Sequence, residues 1–62
     1  MTIRHVPASL RARFHARRTK DLIIVAWEMV DRGMDRARVL ATLVQAEVEA
    51  KKLEEAVKEV RT

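Results

Sequence analysis

Positively charged side chains are concentrated in the first 20 residues of this 62-residue chain. Residues 1–20 contain six Lys and Arg and no Asp or Glu, although the formal charge of the whole chain is only +4. Arg13, Arg17 and Lys20 recur at steps of four and three, so a helix places them on one stripe. A patch of this kind is typical of proteins that bind phosphate groups or acidic surfaces.

Phe14 lies between two basic edges of the same segment, where an exposed ring can stack on a base. The sequence therefore predicts binding to RNA or DNA through phosphate contacts, with an acidic protein as the other possible partner. The candidate binding residues are Arg11, Arg13, Phe14, Arg17, Arg18 and Lys20.

The chain offers little for catalysis, because it contains two His, one Ser and no Cys. Local spacing assembles no nucleophile with a base and an orienting acid, and there is no glycine-rich phosphate loop and no pair of ligands at metal spacing. We therefore expect a non-enzymatic regulatory protein without a metal or cofactor. His15 is expected to be a polar or partly buried helix residue.

The first helix is predicted over residues 7–32, after a flexible arm at residues 1–6. Pro7 suits the first helical position, because its missing N–H is not needed there and its φ is already helical. Thr19 offers an alternative, since it could cap a second helix and split the segment in two. An apolar seam keeps its phase across the whole segment, through Ala12, Ala16, Thr19, Ile23, Ala26 and Val30.

A short turn at residues 33–34 and a second helix over residues 35–61 follow. Gly33 can adopt the left-handed conformation that ends a helix, and Asp35 can cap the next one. A connection this tight makes the two helices antiparallel neighbours. The second helix carries a heptad-like seam of Val39, Leu43, Ala46, Ala50, Leu53, Val57 and Val60, with a further apolar stripe of Leu40, Val44 and Val48.

Residues 22–30, the string LIIVAWEMV, are apolar around almost the whole helix, and only Glu28 interrupts them. One partner helix cannot cover such a surface. A chain of this size also needs reinforcement, and without Cys only oligomerisation remains. The fold class predicted is therefore all-α, a helical hairpin that forms a homodimeric four-helix bundle. The predicted interface consists of Leu22, Ile23, Ala26, Trp27, Met29, Val30, Leu40, Leu43, Val44 and Leu53.

If the hairpin does not self-associate, the same apolar ring predicts a protein-interaction module, such as a small inhibitor or adaptor that binds a partner protein. The nine-residue run is less than half of the roughly 20 residues that cross a bilayer, so no membrane contact is expected. The Arg-rich start has the composition of a mitochondrial presequence, but removing it would leave no viable core. We expect a cytoplasmic protein, with which the absence of Cys is compatible.

Two resemblances accompany these patterns. Residues 12–14, Ala-Arg-Phe, resemble part of the first helix of the Rop family of small plasmid RNA-binding proteins, which have a similar length and form dimeric four-helix bundles with the RNA face on the first helices. The turn and the second helix differ from that family, so the likeness is one of shape. Residues 33–40 look like the inter-helix turn of ribbon-helix-helix repressors, which implies a short N-terminal strand through Thr2, Arg4 and Val6. That fold uses helices about half as long as the two predicted here.

Overall fold

The computed structural model describes residues 6–61, which form two antiparallel helices, α1 (Ala8–Asp31) and α2 (Arg36–Arg61). The all-α hairpin is confirmed, and both helices have close to their predicted lengths. The described range contains no strand. Most of the predicted flexible arm, including the strand positions Thr2 and Arg4, lies outside the described residues.

Helix α1 begins one residue later than predicted, because Pro7 precedes the helix rather than opening it. Its φ of −57° is compatible with a helix, but its ψ of 145° is extended. The Pro7 carbonyl accepts the backbone N–H groups of Leu10 and Arg11, both at 3.1 Å. Pro7 therefore satisfies donors of the first turn from the cap position.

Helix α1 is continuous through Thr19, so the alternative of two shorter helices is wrong. The Thr19 hydroxyl donates to the carbonyl of His15 at 2.7 Å, one turn earlier. This is the usual way in which a threonine in a helix interior satisfies its hydroxyl. Because α1 continues from Ala8 to Asp31 without a break, Thr19 does not cap a second helix.

The turn closes with a Schellman motif around Gly33, as its position predicted. Gly33 has a φ of +66°, its N–H donates to Val30 at 3.0 Å, and the N–H of Met34 donates to Met29 at 2.9 Å. These two bonds satisfy the last carbonyls of α1. Asp35 then starts α2 through its backbone carbonyl, which accepts the N–H groups of Arg38 and Val39. In residues 6–61 its carboxylate makes no hydrogen bond, so the predicted side-chain cap is not formed.

The face that each helix turns toward the other differs from the predicted seams. On α1 the buried or half-buried residues are Ala8, Arg11, Ala12, His15, Thr19, Leu22, Ala26 and Met29, and on α2 they are Val39, Thr42, Ala46, Glu49, Leu53 and Ala56. Six of these positions belong to the predicted seams, namely Ala12, Thr19, Ala26, Val39, Ala46 and Leu53, and none of the others does. The small residues let the two backbones approach closely.

The remaining positions of the predicted seams lie beside this contact, on one side of the hairpin. At about 100° per residue, the exposed seam positions other than Val60 turn to the same side, and Trp27 joins them there. We call this surface the apolar side face. It consists of Ala16, Ile23, Trp27 and Val30 on α1 and Leu43, Ala50 and Val57 on α2.

The opposite side of the hairpin is polar, because ion pairs link the two helices there. Arg11 binds Glu59, and Arg18 lies 3.6 Å from Glu49. The hairpin therefore has two unlike sides, one crossed by charged contacts and one apolar.

A lone hairpin buries almost no large side chain. In the described range the buried residues are Ala26, Ala46, Ala56 and Glu49, whereas Trp27 is 69% exposed. The smallest dimension is 14 Å, close to the thickness of one helix. The two helices therefore form one layer, whereas a hydrophobic core needs two. In the part of the chain described, neither helix is long and apolar enough to cross a membrane.

Candidate nucleic-acid interface

Arg13, Arg17 and Lys20 form an exposed stripe on the outer surface of α1. His15, Thr19 and other inward residues fix the rotation of the helix, and the stripe lies roughly 160° around the helix from them. Within residues 6–61 none of the three cations makes an ion pair. Their full positive charge is therefore available to a ligand. We call this surface the basic stripe.

Arg11 is placed differently, because it bridges the two helices at their open end. Its guanidinium donates two bonds to Glu59, at 2.5 Å to Oε1 and 3.3 Å to Oε2, and its Nε donates to the Val6 carbonyl at 3.3 Å. The hydrogen bond to the Glu59 carboxylate is the main cause that raises the pKa of Arg11, and burial opposes it. Arg11 was predicted to bind nucleic acid, but its charge is matched within the hairpin.

Arg18 and Phe14 form a small cluster on the polar side of the hairpin. The Arg18 guanidinium lies 5.9 Å from the centre of the Phe14 ring, a distance typical of a cation–π contact. The Phe14 and His15 rings meet edge to face, with centroids 5.2 Å apart and planes at 72°. Phe14 is still 58% exposed, so part of the ring is open to a ligand.

Glu49 is a buried carboxylate with several charged neighbours, and the sequence pattern did not indicate it as a candidate site residue. It is 8% exposed, and its carboxylate lies 2.8 Å from Nδ1 of His15, 3.5 Å from Nζ of Lys52 and 3.6 Å from Nε of Arg18. The hydrogen bond from His15 is the largest cause that lowers the pKa of Glu49, and the charges of Lys52 and Arg18 act in the same direction. Desolvation opposes them.

The only local signal for this cluster is a second periodicity. Ala46, Glu49, Leu53 and Ala56 also follow steps of three and four, as do Ala12, His15 and Thr19. A periodic pattern that contains Glu and His is less hydrophobic than one that contains Leu and Ile, so the more hydrophobic pattern is the one recognised as a buried seam. Within the described range no three His, Cys, Asp or Glu side chains come together as metal ligands.

Four of the ten predicted interface residues lie inside the hairpin, and the other six are exposed. Inside the hairpin, Ala26 is buried and three others are half-buried: Leu22, Met29 and Leu53. The exposed ones are Ile23, Trp27, Val30, Leu40, Leu43 and Val44. The hairpin therefore leaves most of the predicted interface uncovered.

No family model matches this chain, and no similarity to a curated protein or to a solved structure was found. The likeness to the Rop family and to ribbon-helix-helix repressors therefore assigns the chain to neither.

Proposed function

We propose that this protein is a small, non-enzymatic regulatory protein that binds RNA or DNA as a homodimer, through the basic stripe. The observation that carries the proposal is that Arg13, Arg17 and Lys20 are exposed, aligned and free of acidic partners within the described residues. Arg11 and Arg18 form ion pairs with Glu59 and Glu49. The hairpin therefore pairs these two arginines with carboxylates, whereas the basic stripe has no acidic partner within the described residues.

The length of the basic stripe suits a phosphate backbone. Arg13 and Lys20 are seven residues apart, which is about 10 Å along a helix. Neighbouring phosphates on one strand are about 3.4 Å apart along a duplex axis, so the row spans about three base steps. Contacts of this kind position a protein on nucleic acid and carry no base sequence. We therefore expect binding that is sensitive to salt and tolerant of sequence.

The homodimer is supported by the surface that the hairpin leaves exposed. On the apolar side face, the large side chains of Ile23, Trp27, Val30 and Leu43 are between 39% and 69% exposed. Burying them against a second copy would remove this apolar area from water, which is favourable. A second copy on the apolar side face supplies the second layer of helices that a core requires.

Binding assays with matched variants test the nucleic-acid proposal. We expect the variant with Arg13, Arg17 and Lys20 all replaced by Ala to bind mixed RNA and DNA at least tenfold more weakly at low salt. The control replaces Arg36, Lys51 and Lys58 on α2 by Ala, which removes the same net charge from another surface. Equal losses in the two variants would show that total charge, and not the stripe, determines binding.

A protein-interaction module is the second candidate, and exposed apolar residues on the outer surfaces favour it. Ile24 on α1 and Val44 and Val48 on α2 are between 44% and 55% exposed, and they point away from the other helix. If neither RNA nor DNA binds at low salt, a protein partner on these surfaces becomes the better explanation.

A further inference from the structure

We infer that the second copy packs on the apolar side face with its turn at the opposite end, so that the two basic stripes join into one binding site. This inference rests on the proposed homodimer and adds the orientation of the partner and the shape of the site. Two arrangements with twofold symmetry are possible for two stacked hairpins. In one, the twofold axis runs across the helices and the turns are at opposite ends. In the other, it runs along the helices and the turns are at the same end.

The sizes of the side chains on the apolar side face favour opposite ends. Toward the turn, Ile23 and Leu43 lie at one level and are 49% and 39% exposed. Toward the open end, Ala16 and Ala50 lie together at another level. With turns at the same end, bulky residues would meet bulky residues and alanines would leave a gap. With turns at opposite ends, each bulky pair meets an alanine pair, which fills the space evenly.

The twofold axis that achieves this match is consistent with the register of the hairpin. It passes midway between Ala16 and Ile23 on α1, and midway between Leu43 and Ala50 on α2. These two midpoints lie at the same height. Arg18 is one or two residues from the midpoint on α1, Glu49 is two or three residues from the midpoint on α2, and the two side chains are in contact. The same axis brings Trp27, the most exposed of the large apolar side chains in the described residues, to the level of the small Ala12 of the second copy.

The charge distribution along α1 favours the same orientation. Residues 8–20 carry five cations and no acid, whereas residues 21–31 carry three acids and no cation. With turns at opposite ends, the two α1 helices lie side by side and antiparallel, so the basic half of each lies beside the acidic half of the other. With turns at the same end, both basic halves are at one end of the bundle and repel each other.

This orientation joins the two basic stripes. Each stripe points away from its own α2, so both stripes lie on the bundle face that the two α1 helices form. Lys20 of each copy lies next to the twofold axis, and Arg13 of each copy lies at an outer end. The combined row contains six cations and extends about 20 Å, which corresponds to about six base steps. One hairpin supplies only half of the site.

Distances between spin labels test the orientation without any ligand. The chain has no Cys, so Arg32→Cys and Lys20→Cys each give a single labelled position. With turns at opposite ends, labels at residue 32 are about 37 Å apart along the bundle, and labels at residue 20 are within about 25 Å because neighbouring helix axes are 8–10 Å apart. The reverse order of these two distances would overturn the orientation. No coupling at either position, with a monomer mass, would overturn the homodimer itself.

The stoichiometry of binding tests whether the stripes act as one site. Titration calorimetry with a duplex of eight base pairs should give one duplex per two chains. One duplex per chain would show that each stripe binds alone. If no duplex binds, the proposed function fails, whereas the label distances still decide the orientation.

Discussion

His15 and Glu49 connect the two helices through a hydrogen bond of 2.8 Å between Nδ1 and Oε1. Because a carboxylate can only accept, the imidazole donates the proton. Glu49 is the one charged side chain that is buried in residues 6–60. A carboxylate in this position stabilises the hairpin only while it is ionised and held by His15, Lys52 and Arg18.

This contact predicts how stability depends on pH. The pKa of Glu49 lies below its ordinary value of 4.5 in the folded protein, first because His15 donates a hydrogen bond to it. A lowered pKa means that Glu49 contributes its full stabilisation above pH 4.5 and loses it as the pH falls through the lowered value. We therefore expect the melting temperature of the wild type to exceed that of Glu49→Gln at pH 7. The difference should shrink below about pH 4.

Thermal unfolding of the two proteins between pH 7 and pH 2 measures this difference. Glu55→Gln is the matched control, because Glu55 is exposed on the same helix and makes no ion pair in the described part of the chain. Its difference from the wild type should be small at every pH. A Glu49→Gln difference that does not change with pH would contradict the role given to the ionised carboxylate.

The neighbouring residues Ile23 and Ile24 test whether the apolar side face is covered in solution. They are 49% and 44% exposed in the hairpin, so a lone hairpin should respond almost equally to alanine at either position. In the proposed dimer only Ile23 is buried by the second copy. We expect Ile23→Ala to lower the free energy of unfolding by about 2–5 kcal/mol, in the range for buried Ile. Ile24→Ala should cost clearly less.

Urea unfolding at several protein concentrations measures both effects. A dimer unfolds at higher denaturant when the concentration is raised, and Ile23→Ala should also weaken this dependence. Equal losses for both variants, without any dependence on concentration, would mean that the apolar side face has no partner.

Gly33 allows a test of the turn that is separate from any assembly. Its φ of +66° is unfavourable for a residue with a Cβ, yet a Cβ at this position would contact nothing within 4 Å. The cost of Gly33→Ala is therefore conformational, about 1–2 kcal/mol. Gly33→Asn should cost less, because Asn tolerates this conformation better. If Ala and Asn cost the same in chemical denaturation, the left-handed conformation is not what Gly33 provides.

The helices and the turn were predictable because their signals are local. Pro7 and Gly33 act on the backbone beside them, and the apolar period between them extends over many turns. The bounds of both helices therefore agree with those predicted from the sequence to within one residue at all four ends.

The face that each helix turns inward was not predictable in the same way. The hydrophobic pattern indicates that Ile23 and Leu43 belong to a buried surface. It does not indicate whether the other helix of the hairpin or a second chain buries them. Ala26 and Ala46 of the same predicted seams are buried inside the hairpin, whereas Ile23 and Leu43 stay exposed there. The predicted seams lie halfway between the hairpin contact and the apolar side face, which is the direction of the centre of a four-helix bundle.

The candidate site was predicted only in part, for a related reason. Spacing was enough to place Arg13 and Arg17 on one stripe. The partners of Arg11 and Arg18 come from the other helix, 48 and 31 positions further along the sequence. Local spacing holds no information about these partners. The sequence therefore could not show which arginines form ion pairs within the hairpin and which do not.

Phe14 distinguishes stacking from charge in the proposed binding. Its ring is 58% exposed on the polar side of the hairpin, and Arg18 lies 5.9 Å from its centre. Stacking of one base contributes about 1–3 kcal/mol. We expect Phe14→Ala to weaken binding of single-stranded RNA by about this amount while leaving the salt dependence unchanged. Phe14→Leu is the control for lost apolar area, and a full recovery of affinity in that variant would exclude stacking.

The salt dependence of wild-type binding tests whether the two basic stripes bind one nucleic acid together. Each phosphate contact releases counterions, so six contacts on duplex DNA predict that log K falls with log salt concentration with a slope of about −5, and three contacts predict about −3. A fluorescence anisotropy titration of a short labelled duplex between low and moderate salt gives this slope. We expect a value near −5. No binding at tens of micromolar protein in low salt, or binding that does not respond to salt, would show that the basic stripes do not bind phosphate groups.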